Sequence, residues 1–259
     1  MNIKISTNNF NIPKINFKSG DDKKNVTTPK ESKLEKTPQN DTFEMSVGYV
    51  NDEHGQTNNM MRILSGLKGD LRVSAGDNDI GDEKNKAVHR ATMKFMNVAN
   101  ITATALGNHE LDTTQSDLMD SIEDFDGDIL ATNVKQMELE DEDPEEVKEL
   151  GRAPLIKTLK HSKIVDVKGE KVGLVGASPI DMLDRLTHPN YHNDCSIDEL
   201  EDTIDDIQEE VDKMKEQGVN KIFLLSHLGH QKDQIVAQNT RDIDVIIGGH
   251  THELVKDIK

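Results

Sequence analysis

The sequence predicts an α/β fold with mixed sheets, and three observations lead to this prediction. Short apolar runs alternate with helical patterns from Met45 onward, which is typical of α/β proteins. Two apolar runs flank Lys168-Gly169-Glu170 and indicate a hairpin, so one strand pair is antiparallel. The 259 residues suffice for one large domain or two small ones, with a sizeable core.

Residues 1–42 precede this alternation and differ from it in composition. They are rich in Asn, Lys, Thr and Pro, contain more Lys than acidic residues, and show no sustained periodicity. We therefore predict that residues 1–42 form a disordered basic tail and that residues 43–259 form the folded domain.

Eight apolar runs in this domain are predicted to be strands: 45–50, 71–75, 101–106, 129–132, 164–167, 171–175, 221–225 and 243–247. Three helices are predicted from apolar residues three or four positions apart. The longest runs from Ile197 to Met214, with a capping box of Ser196 and Glu199 before it and Gly218 after it. The other two carry Ala87, Ala91, Phe95 and Val98, and Leu118, Ile122 and Phe125.

Charge and cysteine content exclude several classes of protein. The net charge of −18 disfavours binding to nucleic acid or to anionic membranes. The single cysteine, Cys195, allows neither an internal disulfide nor a structural zinc site built from thiolates. No membrane span or secretory signal is visible, so the cytoplasm is the default expectation for location.

Polar clusters follow five of the predicted strands, at residues 51–55, 76–79, 107–110, 226–230 and 248–252. Glycine, which permits tight turns, lies beside each cluster. Because ligands bind beyond the carboxyl ends of strands in open α/β sheets, we expect the five clusters to converge on one site.

These clusters contain seven candidate metal ligands: Asp52, His54, Asp77, Asn108, His227, His250 and His252. Carboxylate, amide and imidazole ligands without thiolates suit Mn, Zn, Fe, Co or Ni, and suit Mg or Ca less well. Seven ligands exceed what one tetrahedral ion needs, but they fit two divalent ions bridged by a carboxylate. Such a pair favours displacement at phosphorus, so the sequence predicts phosphoester hydrolysis by a metal-bridging hydroxide.

The order of motifs DxH, GDN, GNHE, SHxGH and GGHTH resembles the calcineurin-like metallophosphoesterases over residues 47–252. The forms NDEHG and GNHELD resemble the 5′-nucleotidase branch of that superfamily. The resemblance implies a four-layer α/β/β/α sandwich of two mixed sheets, with the metal ions at the strand ends. It implies a substrate that is a small phosphate ester, a nucleotide above all, and hence a role in nucleotide catabolism.

The resemblance also distributes the site residues. It implies that Asp52, His54 and His252 hold one ion, that Asp77 bridges, and that Asn108, His227 and His250 hold the other. It assigns His109 as the catalytic residue that stabilises the transition state or protonates the leaving oxygen, with Asp112 orienting it. The spacing of three places these two side chains on one face of a helical turn.

Two alternatives to a phosphomonoesterase stay open on the sequence. One is a phosphodiesterase that uses the same metal centre. The other is a truncated, non-catalytic metal-binding module that interacts through the acidic stretch 138–149 and the basic tail. Members of the 5′-nucleotidase branch continue beyond the last motif and are often exported. We therefore expect either a separate C-terminal substrate-binding domain or a partner chain, unless the chain acts alone.

Overall fold

The computed structural model describes residues 2–6, 14–16, 43–79, 86–112, 115–136, 159–185 and 195–254. These residues contain a sheet of six strands, a sheet of four strands and a separate pair of strands. None of the helices in these ranges combines the length and the apolar character needed to cross a membrane. The acidic stretch at 138–149 lies outside the described residues.

The first sheet contains β1 (Asn2–Ser6), β2 (Lys14–Asn16), β3 (Glu44–Val50), β4 (Leu71–Ser74), β5 (Ala103–Ala105) and β6 (Asp128–Leu130). Their order across the sheet is β2-β1-β3-β4-β5-β6, and every neighbouring pair is parallel except β1 and β2. The carboxyl ends of β3, β4 and β5 therefore lie at one edge of the sheet.

Strands β1 and β2 lie within residues 1–42, the segment predicted to be a tail. Ile3 and Ile5 alternate with polar residues, a period of two that suits a strand, and β1 pairs with β3. The pattern covers only five residues, which is too short for its periodicity alone to predict a strand. The division into a tail at 1–42 and a catalytic domain at 43–259 stays a prediction.

The second sheet contains β8 (Ser162–Val167), β9 (Glu170–Ala177), β11 (Ile222–Ser226) and β12 (Val245–Gly248), in the order β12-β11-β9-β8. The pair β7 (Val134–Gln136) and β10 (Cys195–Ile197) is antiparallel. Lys168 and Gly169 connect β8 to β9 with φ values of 56° and 83°, which is the backbone that a two-residue hairpin turn requires. The predicted hairpin and the mixed character of the sheets are confirmed.

Helices cover the outer faces of both sheets. The helices α1 (Thr57–Gly66), α2 (Lys86–Val98) and α3 (Gln115–Glu123) pack on the first sheet, and α4 (Leu200–Glu216) and α5 (His230–Asn239) pack on the second. Between the sheets, buried Val47 and Val73 meet Leu174 and Phe223. Each fully buried side chain of this size stabilises the fold by roughly 1.5–3 kcal/mol. The predicted four-layer α/β/β/α sandwich is confirmed.

The capping box predicted for α4 is wrong. The helix begins at Leu200, because Ile197 instead pairs with Val134 in the small antiparallel pair. Glu199 therefore occupies the N-cap position, and its side chain makes no capping hydrogen bond there. The predicted end is confirmed, since Gly218 follows the helix with a φ of 80°.

The buried face of α2 also differs from the prediction. Val98, placed on the buried face by the sequence pattern, is 68% exposed. Met93 and Met96, whose helical spacing is typical of core residues, are buried against the first sheet. Helix α5 has no predicted counterpart, and in it Val236 is buried while Ile235 is 41% exposed. So few buried apolar side chains leave no periodic pattern to detect.

Candidate metal centre

The candidate site lies at the carboxyl ends of β3, β4, β5, β11 and β12, where all five predicted polar clusters follow their strands. The turns after β3 and β4 are joined through their backbones. The N–H of Asp52 donates to the carbonyl of Gly76, and that of His54 donates to the carbonyl of Asp77, both at 3.0 Å. These bonds hold the first two clusters in register with each other.

The first group of predicted ligands contains Asp52, His54 and His252. One candidate ligand atom of each lies within 4.8 Å of the others. The Nε2 atoms of the two imidazoles are 3.0 Å apart, and Nε2 of His252 lies 3.4 Å from Oδ1 of Asp52. Residues from the turns after β3 and β12 therefore meet as predicted.

The second group contains Asp77, His227 and His250, again with ligand atoms within 4.8 Å of one another. Nε2 of His227 lies 3.0 Å from Oδ2 of Asp77 and 3.7 Å from Oδ1 of Asp52. Asp77 also belongs to a third group, with His54 and His109. Asp77 thus lies near His54 of the first group as well as near both histidines of the second.

Two buried ligand atoms have no hydrogen-bond partner, which indicates a cation site. The Nδ1–H of His227 donates to the carbonyl of Ala75 at 2.6 Å, so in the neutral form of the ring the lone pair is on Nε2, which faces Asp77. Nε2 of His227 and Oδ1 of Asn108 are buried without a hydrogen bond. Burial opposes ionisation of His227, yet pairing with Asp77 outweighs it and raises the pKa of His227. Positive charge is therefore stabilised at this point, and the donor set fits a metal ion.

The backbone at the predicted ligands is strained. Five of the seven lie in the left-handed region: Asp52 at 54°, His54 at 48°, Asp77 at 52°, His250 at 78° and His252 at 53°. Elsewhere in the described ranges only Asn100, Lys168 and Asp242 have positive φ without being glycine. Each such residue costs roughly 1–3 kcal/mol, and such strain is concentrated at functional sites.

Glycine is required where the turns approach most closely. A Cβ at Gly107 would collide with Oδ1 of Asp77, and one at Gly249 would lie 2.9 Å from Nδ1 of His227. Any side chain at either position would therefore displace a predicted ligand. The glycines beside the clusters thus permit close packing as well as tight turns.

His109 and Asp112 form the predicted pair. His109 begins a short 3₁₀ helix, His109–Leu111, and its Nδ1 lies 2.7 Å from Oδ2 of Asp112. The backbone N–H of His109 donates to Oδ1 of Asp77 at 2.9 Å, which ties this turn to the second group. The hydrogen bond with Asp112 raises the pKa of His109. A raised pKa keeps the imidazole protonated to higher pH, as a proton donor needs.

Asp112→Asn is expected to lower the pKa of His109, because the amide removes the negative charge that stabilises the imidazolium. In the metal-free protein the ring would then lose its proton at lower pH than in the wild type. An NMR titration of the His109 ring protons in both proteins measures this difference. An equal or higher pKa in the variant would contradict the role assigned to Asp112.

Two glutamates at the site received no role from the sequence. Burial, together with the charge of Asp77, raises the pKa of Glu110 to about 7. Burial, together with the charge of Asp52, raises the pKa of Glu53 to about 7. Both carboxyl groups therefore keep their protons to higher pH than an exposed glutamate does.

Asp233 is a third residue that the sequence did not indicate. It lies in the first turn of α5 and accepts a hydrogen bond from Oγ of Ser226, which itself accepts the N–H of Leu228. A Cβ at Gly248 would collide with the Asp233 carboxylate, so this side chain connects the ends of β11 and β12. Burial raises the pKa of Asp233 to about 6.

The fold and this site define a class of protein. The chain belongs to the calcineurin-like phosphoesterase family, whose model matches residues 45–254. That range contains all nine predicted site residues. The predicted resemblance to this superfamily is thereby confirmed.

Individual relatives agree with the predicted branch. Mouse 5′-nucleotidase is 34% identical over 163 residues, which cover 61% of this chain and 25% of that protein. A probable 5′-nucleotidase of Treponema pallidum (strain Nichols) is 28% identical over 241 residues, covering 83% of this chain and 38% of that protein.

Solved structures share the fold. The NAD nucleotidase of Haemophilus influenzae matches with a TM-score of 0.64 at 24% identity, covering 82% of this chain and 39% of that one. A 5′-nucleotidase precursor from Thermus thermophilus matches with a TM-score of 0.63 at 24% identity, covering 82% and 42%. The chain thus spans between 25% and 42% of the length of these four proteins.

Proposed function

We propose that this chain is the catalytic domain of a metal-dependent phosphomonoesterase that acts on nucleoside 5′-phosphates. One observation carries the proposal. The buried Nε2 of His227, which makes no hydrogen bond, faces Oδ2 of Asp77 at 3.0 Å, at a point where candidate ligands from five strand ends converge. The family match supports phosphoester chemistry, and the relatives named 5′-nucleotidase support the substrate class.

We propose that the centre binds two divalent ions. Asp52, His54 and His252 would hold the first, Asn108, His227 and His250 would hold the second, and Asp77 would serve both. The membership of Asp77 in two of the ligand groups supports the bridging role. Two such ions, when bound, neutralise phosphate charge and lower the pKa of water toward neutrality. The donor set suits Mn, Zn, Fe, Co or Ni.

The side chains of the chain itself supply orientation and a proton. His109 gives a proton to the oxygen that leaves phosphorus, and Asp112, 2.7 Å from its Nδ1, holds the ring and favours its charged form. The carbonyl of Ala75 fixes the tautomer of His227. Asp77 holds the turn of His109 through a backbone hydrogen bond, so the proton donor and the ligands keep a constant separation.

The proposal is tested with the metal-free chain, reconstituted with Mn²⁺ and assayed for phosphate release. We expect hydrolysis of a nucleoside 5′-monophosphate that requires the metal and is abolished by a chelator. A nucleoside 3′-monophosphate and a cyclic nucleotide, assayed in parallel, test position and ester type. A large preference for the cyclic diester would indicate a phosphodiesterase. Bound Mn²⁺ without turnover of any ester would indicate a non-catalytic metal-binding module.

A further inference from the structure

Glu110 is 2% exposed and accepts hydrogen bonds from four backbone N–H groups. The donors are Asp77 at 3.2 Å, Asn78 at 2.7 Å, Asp79 at 3.4 Å and Gly107 at 2.9 Å. The Nδ2 of Asn78 adds a fifth bond at 3.3 Å. The motif that contains Glu110 did not by itself indicate a role for this residue.

The two carboxylate oxygens divide these donors between them. Oε2 accepts the N–H groups of Gly107 and Asp77, while Oε1 accepts those of Asn78 and Asp79. Glu110 therefore joins the turn after β4 to the turn after β5. Asp77 makes the opposite connection, because its Oδ1 accepts the N–H of His109 at 2.9 Å. We call this reciprocal pair, Asp77 and Glu110, the carboxylate clasp.

Burial makes a carboxylate an unfavourable choice for a purely structural link. A buried ionised carboxylate loses hydration, and Asp77 adds like-charge repulsion. Neutral carbonyl groups satisfy buried N–H groups elsewhere in proteins at a lower cost. A carboxylate is suited to this position because it accepts on both oxygens at once and is negatively charged beside a cation site.

We propose that Glu110 is a positioning residue of the metal centre. Its carboxylate fixes the turn of the proposed bridging ligand Asp77 against the turn that carries Asn108 and His109. The spacing of the ligands then depends on the clasp as much as on the strands. This inference rests on the proposed function only in requiring that the centre binds metal.

Glu110→Gln tests the proposal, because an amide has a single acceptor oxygen. Whichever way the amide turns, its NH₂ group faces backbone N–H donors on one side of the clasp. We expect the Kd for Mn²⁺, measured by isothermal titration calorimetry, to rise about 10–100-fold. We also expect the electron paramagnetic resonance signal of exchange-coupled manganese ions to weaken.

Asp244→Asn is the matched control. Oδ2 of Asp244 accepts the N–H of Ile222 at 2.8 Å, at the opposite end of β11 from His227. The variant makes the same change from acid to amide at a half-buried backbone acceptor. We expect it to lower the thermal unfolding temperature and to leave the Kd for Mn²⁺ unchanged.

A Kd for Glu110→Gln equal to the wild-type value would overturn the proposal, as would an equal loss in both variants. If Glu110→Gln does not fold, Glu110→Asp replaces it. That variant retains both acceptor oxygens but is one methylene shorter, so we expect a smaller rise in Kd, and a wild-type Kd would overturn the proposal. Intact Mn²⁺ binding without phosphatase activity would refute the proposed function and leave this test valid.

Discussion

His109→Ala is expected to lower kcat on a nucleoside 5′-phosphate by about 10²- to 10⁴-fold, the usual contribution of a positioned proton donor. The bound metal content is expected to stay at the wild-type level. We expect the metal to be retained because Nδ1 of His109 is hydrogen-bonded to Asp112 and the His109 side chain is 34% exposed. Kinetics and elemental analysis of the same preparation measure both quantities.

The identity of the leaving group separates proton donation from other roles of His109. A phosphate ester of 4-nitrophenol has a leaving group that needs little protonation, whereas the 5′-oxygen of a nucleoside needs it strongly. We therefore expect a smaller loss of kcat on the nitrophenyl ester than on the nucleotide. His161→Ala is the control, because His161 is 48% exposed and lies beside Glu210, away from the ligand groups.

The position of His109 among the ligand groups makes this experiment decisive. His109 also falls within a group of potential ligand atoms with His54 and Asp77. If His109 were a metal ligand, its removal would lower the metal content together with the rate. Loss of metal from His109→Ala would thus refute the assignment as proton donor.

The clustering of the candidate ligands could be predicted from the sequence because these residues follow apolar runs directly. Asp52 comes two residues after β3 and Asp77 three residues after β4, so a correct strand prediction is sufficient to place them. The glycines at 76 and 107 mark the turns. Parallel strands then bring the turns to one edge, and no knowledge of tertiary contacts is needed.

The residues that the sequence missed act through long-range contacts. Glu110 receives its hydrogen bonds from main-chain groups near Asp77, and backbone donors leave no mark on the sequence. The start of α4 was misplaced for a related reason. Pairing of Ile197 with Val134 overrides the local capping pattern, and only the tertiary structure brings these two residues together.

Substitution of Asp77, the proposed bridging ligand, is expected to cause the second large loss of kcat. In Asp77→Asn the amide oxygen can still accept the N–H of His109, so the turn is retained while the negative charge is lost. Loss of a negative charge that both proposed ions share weakens the binding of each ion. Charge stabilisation by bound metal contributes several kcal/mol, so we expect kcat to fall by about 10³-fold or more.

Metal binding gives the independent measurement for Asp77→Asn. A ligand that binds only the folded protein raises its unfolding temperature, so Mn²⁺ should stabilise the wild type and stabilise this variant much less. Asp70→Asn is the control, because Asp70 precedes β4 at the end opposite Asp77 and accepts the N–H of Ser46 at 2.8 Å. That variant should lose stability but keep the full stabilisation by Mn²⁺. If Asp77→Asn retained the metal stoichiometry and thermal response of the wild type, Asp77 would not bridge two ions, and the two ligand groups would have to act separately.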